Sequence, residues 1–72
     1  MNWYAKQRYN WINESLRIYG FINRAHVVEK FGCSNAQAGN DLRLFARENA
    51  DWVQYDNCRR TYVNIRHEKA VL

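Results

Sequence analysis

Seventy-two residues make one domain and exclude a second, and folding a chain of this size buries only about 60% of the surface it exposes when unfolded. Hydrophobic residues form 47% of it, aromatics 15% and charged residues 25%, a globular balance with a ring-rich core and not that of a disordered chain. Eleven Lys and Arg against seven Asp and Glu leave a net charge of +4, and eight of the eleven cations are Arg, the side chain suited to bidentate contacts with phosphate and guanine.

A first helix is expected over residues 5–19. Ala5, Tyr9, Ile12, Leu16 and Tyr19 recur at three- to four-residue spacing as a buried stripe, and Gly20 follows as the C′ residue. A second stripe, Tyr4, Trp11 and Ile18, repeats every seven residues beside the first. It is open to two readings, a broadened core face or a surface for a partner, of which a second copy of the chain is the simplest.

Phe21 and Ile22 read as a short extended link. Asn23 then serves as N-cap of a second helix that runs to Phe31 and stops at Gly32, with Ala25, Val28 and Phe31 on its inner face. Ser34 with Gln37 three residues on forms a capping box, so a third helix starts at Asn35. Only Gly32, Cys33 and Ser34 separate these helices, and so short a turn forces their axes to cross steeply, the signature of a helix-turn-helix. Cys33 is expected to pack inward as a small apolar residue.

On the third helix, Ala38, Leu42, Phe45 and Asn49 share the core face, while Ala36, Asn40, Arg43 and Arg47 lie opposite, with Asn35 and Gln37 near the amino end. Arg can bond guanine O6 and N7, and Asn or Gln can bond adenine N6 and N7, so this outer face has the chemistry of base reading. The alternative is a solvated face with Arg43 and Arg47 paired to Asp41 and Glu48. Gly39 interrupts the helix at a cost of about 1 kcal/mol relative to Ala and permits either close approach to DNA or close packing between the second and third helices.

Residues 52–55 and 61–65 read as two strands of a hairpin whose tip, residues 56–60, is basic. Arg59 and Arg60 there suit phosphate contact or a narrow minor groove. Asn23 and Ser34 are already explained as caps, and Arg24 and His26 in the first turn of the second helix are further candidates for backbone contact. The domain is expected over residues 1–65, followed by a polar tail over residues 66–72.

His26 and His67 have no spacing that would build a catalytic or metal site, no glycine-rich phosphate loop is present, and Cys33 and Cys58 make neither a C-x-x-C pair nor a disulfide framework. The expectation is therefore no enzyme, no metal, no cofactor and no small-molecule ligand. No apolar run approaches the roughly 18 residues of a membrane span and no signal peptide opens the chain, so a cytoplasmic protein is expected.

Three stretches carry a family resemblance. Phe21-Ile-Asn-Arg-Ala-His-Val-Val-Glu-Lys-Phe-Gly-Cys-Ser34, Gln37-Ala-Gly-Asn-Asp-Leu42, and the pairs Tyr55-Asp56 and Tyr62-Val63 resemble the N-terminal winged-helix module of WYL-domain transcriptional regulators, a group related to DeoR-type repressors. The resemblance implies an α+β, mainly α fold, with three helices and a C-terminal β-hairpin wing. It implies Asn35, Gln37, Asn40 and Arg43 at bases on the DNA-reading helix, Arg59 and Arg60 on the wing, and double-stranded DNA as partner, while Arg47 on the outward face and the Ser34 hydroxyl are candidate DNA contacts read from the residues themselves. Members of that group often carry Ser at the position of Gly39, and no WYL domain follows Leu72, so the chain is expected to be either a free-standing regulator of phage or mobile-element type or a fragment. The expected function is a repressor that binds a pseudo-palindromic operator as a homodimer through Tyr4, Trp11 and Ile18. A winged-helix module that binds protein and not DNA is the alternative.

Overall fold

A computed structural model describes residues 2–67. In chain order the elements are α1 (Trp3–Ile18), β1 (Phe21–Ile22), α2 (Arg24–Phe31), α3 (Asn35–Glu48), β2 (Val53–Asp56) and β3 (Thr61–Asn64). The three helices and the hairpin wing are those expected, and β1 adds to them. Phe21–Ile22 is more than a link, since it pairs antiparallel with β3 in the register Phe21↔Val63 and Ile22↔Tyr62 and makes a three-stranded sheet of order β1-β3-β2. Two residues are too few to announce a strand locally; a partner 40 residues away supplies the pairing.

α1 begins two residues earlier than its apolar stripe suggests, because Asn2 caps it by accepting from the Ala5 N–H at 2.8 Å. It ends where Gly20 takes a left-handed φ of 87°. Ile12 and Leu16 are fully buried, but Tyr19 is 65% exposed and Ser15 takes the expected place of a ring at that end of the stripe. In α2 the buried residue is Val27, while Ala25 is exposed and Val28 and Phe31 are half-buried. The expected inner face is therefore rotated, because an eight-residue helix is too short for its own pattern to fix which side meets α3. Gly32 closes α2 at φ 67° with its N–H on the Val28 carbonyl at 2.7 Å, which gives the tight turn into α3.

Ile12, Leu16, Ile22, Val27, Ala38, Leu42, Phe45 and Val53 form the core, each 3% exposed or less. Rings extend it. Tyr9 and Trp52 flank Phe45 at 4.7 and 5.7 Å between centroids, and Trp11 meets Phe31 edge-on at 5.6 Å. Cys33 lies half-buried under this layer, as expected of an inward-packed thiol, and Cys58 is exposed at the hairpin tip; both are free.

Asn49 ties three elements together where α3 ends. Its Nδ2 donates to the Phe45 carbonyl at 2.9 Å and to Tyr9 Oη at 3.2 Å, its Oδ1 accepts from Trp52 Nε1 at 3.0 Å, and its carbonyl accepts from the Trp52 and Val53 N–H groups. Its expected place on the core face is thus a polar junction. Beyond β3 the packing continues to His67, whose Nε2 lies 3.0 Å from the Ile18 carbonyl. Of the tail expected over residues 66–72, residues 68–72 lie outside the described residues.

Asn49→Ala removes three side-chain hydrogen bonds that link α1, α3 and the hairpin, at about 1 kcal/mol each. It is expected to lower the unfolding free energy in urea by about 2–3 kcal/mol. A loss under about 0.5 kcal/mol, the size of an ordinary surface substitution, would show that the junction is not structural.

Candidate nucleic-acid interface

α3 is started by Ser34, whose Oγ accepts from the Gln37 N–H at 3.0 Å. The expected capping box is only half made. The Gln37 amide does not return to the cap but donates to Asp41 Oδ1 at 3.0 Å, which leaves Gln37 half-buried and already engaged. The reciprocal box sits on α2 instead, where Asn23 Oδ1 accepts from the His26 N–H and the Asn23 N–H donates to His26 Nδ1, both at 3.1 Å. A pattern that looks for Glu or Gln at the third position overlooks a histidine there. His26 is consequently a half-buried cap whose ring meets Phe21 at 5.9 Å, not the freely exposed first-turn residue that the sequence suggests.

Ser34, Asn35, Ala36, Asn40, Arg43 and Arg47 are all exposed, and Ala36, Asn40, Arg43 and Arg47 share one side of α3, as the helical pattern requires. The two acids of α3 are turned away from them. Asp41 pairs with Arg8 of α1, and Glu48 accepts from Tyr9 Oη at 2.8 Å. Burial pushes the Tyr9 phenol up from its ordinary value, and the hydrogen bond to Glu48 adds to this, so Tyr9 stays a donor at neutral pH. The alternative in which Asp41 and Glu48 neutralise Arg43 and Arg47 is not what forms. Among the described residues the ion pairs are Arg8–Asp41 and Arg59–Asp56, so Arg24, Arg43, Arg47 and Arg60 have no carboxylate partner there.

The hairpin tip separates its two arginines. Asp56 Oδ1 accepts from the Cys58 and Arg59 N–H groups at 3.0 and 3.2 Å, and its Oδ2 lies 3.7 Å from Arg59 Nε. Arg60 has no carboxylate partner among the described residues and takes φ 52°, a conformation that costs a side-chain-bearing residue about 1–2 kcal/mol. Between α3 and the wing lies a cleft of about 550 Å³, lined by Arg24, Gly39, Leu42, Arg43, Tyr55, Arg60 and Tyr62. Arg43 donates to Asn40 Oδ1 at its edge, and the Tyr55 and Tyr62 rings are 4.8 Å apart. Burial pushes the Tyr62 phenol up, against the opposing pull of Arg43 and Arg24.

Gly39 is buried on this cleft, and a Cβ on it would stand 3.0 Å from the Arg24 guanidinium. Of the two roles open to this glycine, close packing between α2 and α3 is the one observed: it lets Arg24 lie across α3. Arg24, a lesser candidate from sequence, thereby joins Arg43 and Arg60 at the cleft. The signal that could have found it is the glycine, an unfavourable helix residue that leaves room for a long side chain.

The second stripe of α1 is not one continuous surface. Tyr4 is 69% and Ile18 56% exposed, but Trp11 is half-buried against Phe31. Trp11 also lines an apolar groove of about 540 Å³ between α1 and α2, with Tyr19, Phe21 and Ile22. Among the described residues no cluster of His, Cys, Asp and Glu could hold a metal ion, and no helix is long and apolar enough to cross a membrane.

Residues 4–71 match the model of the BrxR transcriptional regulator winged helix-turn-helix domain. Over 63 residues the chain is 33% identical to the DNA-binding transcriptional repressor CapW of Stenotrophomonas maltophilia, a match that covers 88% of this chain and 21% of that protein. It therefore spans about a fifth of the length of this relative. The match runs through all three helices and the wing, and the chain belongs to the family of BrxR transcriptional regulator winged helix-turn-helix domains.

Proposed function

We propose that this domain represses transcription by laying α3 in the major groove of duplex DNA while the wing holds the adjacent backbone. The observation that carries this reading is the sorting of charge on α3: its exposed side presents Asn35, Asn40, Arg43 and Arg47, and its two acids are engaged by Arg8 and Tyr9 of α1. A helix that must approach phosphates and base edges gains from having its carboxylates withdrawn. The domain is regulatory and not an enzyme, in keeping with a family of transcriptional regulators and with a relative named as a DNA-binding repressor.

Within this reading Asn40 and Arg47 are base readers, Asn35 and Ser34 meet base or phosphate at the amino end of α3, and Gln37 acts through Asp41. Arg59, partnered by Asp56, is a rim contact of the wing. The resemblance of residues 21–34 to WYL-domain regulators, a cytoplasmic site of action and an origin in phage or another mobile element belong to the same proposal.

Duplexes selected from a random pool should converge on a motif. Asn40→Ala and Arg47→Ala are each expected to cost about 1–3 kcal/mol of preference between that motif and random duplex. Arg59→Ala should weaken both duplexes alike. No binding of any duplex at low salt would refute the reading.

A homodimer on a pseudo-palindromic operator is part of the proposal, supported by the exposure of Tyr4 and Ile18 on α1 and by the neighbouring apolar groove. Ile18→Glu changes an exposed residue and spares the core. It is expected to give a monomer by sedimentation equilibrium and to lose binding to the palindrome more than to a single half-site. A wild-type domain that is monomeric at high concentration and on the palindrome would remove the dimer. The groove also favours the second reading, a protein-binding module, which a domain that binds no duplex would leave in place.

A further inference from the structure

The cleft between α3 and the wing collects more positive charge than its size calls for. Arg24 comes from the first turn of α2, Arg43 from the middle of α3 and Arg60 from the wing, and among the described residues no carboxylate lines the space they share. Three guanidinium groups around one cleft of about 550 Å³ repel one another, so an arrangement of this kind is stabilised by an anion. Gly39, Leu42 and the Tyr55–Tyr62 pair complete its lining, and tyrosine phenols can donate.

Two local features sacrifice stability to build this place. Gly39 lowers helix propensity by about 1 kcal/mol relative to Ala. In return it admits Arg24, which a Cβ would meet at 3.0 Å. Arg60 holds φ 52°, alone among the described non-glycine residues in the left-handed region, and it does so as part of the cleft lining. Backbone strain of this kind persists where surrounding structure enforces it and often accompanies a binding site. Neighbouring Arg59 faces Asp56 at 3.7 Å and does not line the cleft, so Arg60 is the wing arginine of this site.

We propose that Arg24, Arg43 and Arg60, with the Tyr55 and Tyr62 hydroxyls, form a single site for one backbone phosphodiester of duplex DNA, gripped from α2, α3 and the wing at once. The inference rests on the DNA-binding reading above and deepens it. It reassigns Arg43, expected from sequence to read a base, to the backbone, because Arg43 lines the cleft together with Arg60 and the wing tyrosines. It also gives α2 a direct part in binding, and it makes the phosphate a clasp that sets the angle between the reading helix and the wing.

One phosphate shared by three arginines behaves differently from three phosphates held separately. In the linear dependence of log K on log salt, each neutralised phosphate contributes a slope of about 0.9. For the selected duplex, followed by fluorescence anisotropy across a sodium chloride series, Arg24→Ala, Arg43→Ala and Arg60→Ala should each weaken binding. The triple variant should lower the slope by only about 0.9. A fall of about 2.7, the sum for three separate phosphates, would overturn the shared site, as would an unchanged slope.

Methylphosphonate replacement, one phosphate at a time, should find one position per half-site where the wild type loses affinity and the triple variant does not. Gly39→Ala keeps every charge but crowds Arg24, and should weaken duplex binding while leaving the melting temperature equal or higher. Unaltered binding by this variant would count against the role of Arg24. Competition by inorganic phosphate at fixed ionic strength, with duplex affinity untouched in the triple variant, would assign the cleft to a free anion and overturn the backbone assignment. A wild type that binds no duplex defeats the DNA-binding reading itself, whereas a wild type that binds while the triple variant keeps its slope defeats only the cleft.

Discussion

The arrangement of this domain depends on how α3 is joined to the wing, and that junction is Asn49. One side chain satisfies the Phe45 carbonyl at the end of α3, Tyr9 of α1 and the Trp52 indole at the start of the hairpin, while its own carbonyl accepts from the first residues of the wing. A hairpin of two four-residue strands has little stability alone. Fastened at Asn49, clamped by β1 on its far edge and anchored by Val53 in the core, it becomes a rigid arm. The cleft between α3 and the wing exists because both ends of the arm are fixed.

A second constraint is electrostatic. Asp41 and Glu48 lie on α3 at positions where they could have quenched the arginines of its exposed side, and α1 takes both of them away. The Arg8–Asp41 pair is largely sheltered, with 14% and 12% of the two side chains exposed, so its main value is positional and its net contribution to stability is small. The same contacts that dock α1 on α3 therefore clear the opposite side of carboxylates. The docking of α1 and the charge of the exposed side of α3 are two results of one set of bonds.

Gly39 looks like a defect in the helix and has a packing reason. As a helix residue it is poor, but its lack of a side chain leaves room for Arg24, whose guanidinium a Cβ would meet at 3.0 Å. The left-handed Arg60 has the same character: local conformational cost borne by a small domain that has little stability to spare.

The helices, the tight turn at Gly32 and the hairpin were legible in the sequence, because caps, left-handed glycines and apolar periodicity act over a few residues. So was the exposed side of α3, since a 14-residue helix repeats its pattern often enough to orient itself. What the sequence left undecided needed contacts far apart in the chain. The rotated inner face of α2, the pairing of β1 with β3, the half-made cap at Ser34 and the capture of Asp41 by Arg8 are all settled by partners that no local pattern names. Arg24, Arg43 and Arg60 stand apart in sequence and meet only where α2, α3 and the wing converge. The sequence alone determined that a basic helix-turn-helix with a wing would form. Only the tertiary structure decided which of its arginines are free and which share a cleft, because the freedom of a charge depends on what folds against it.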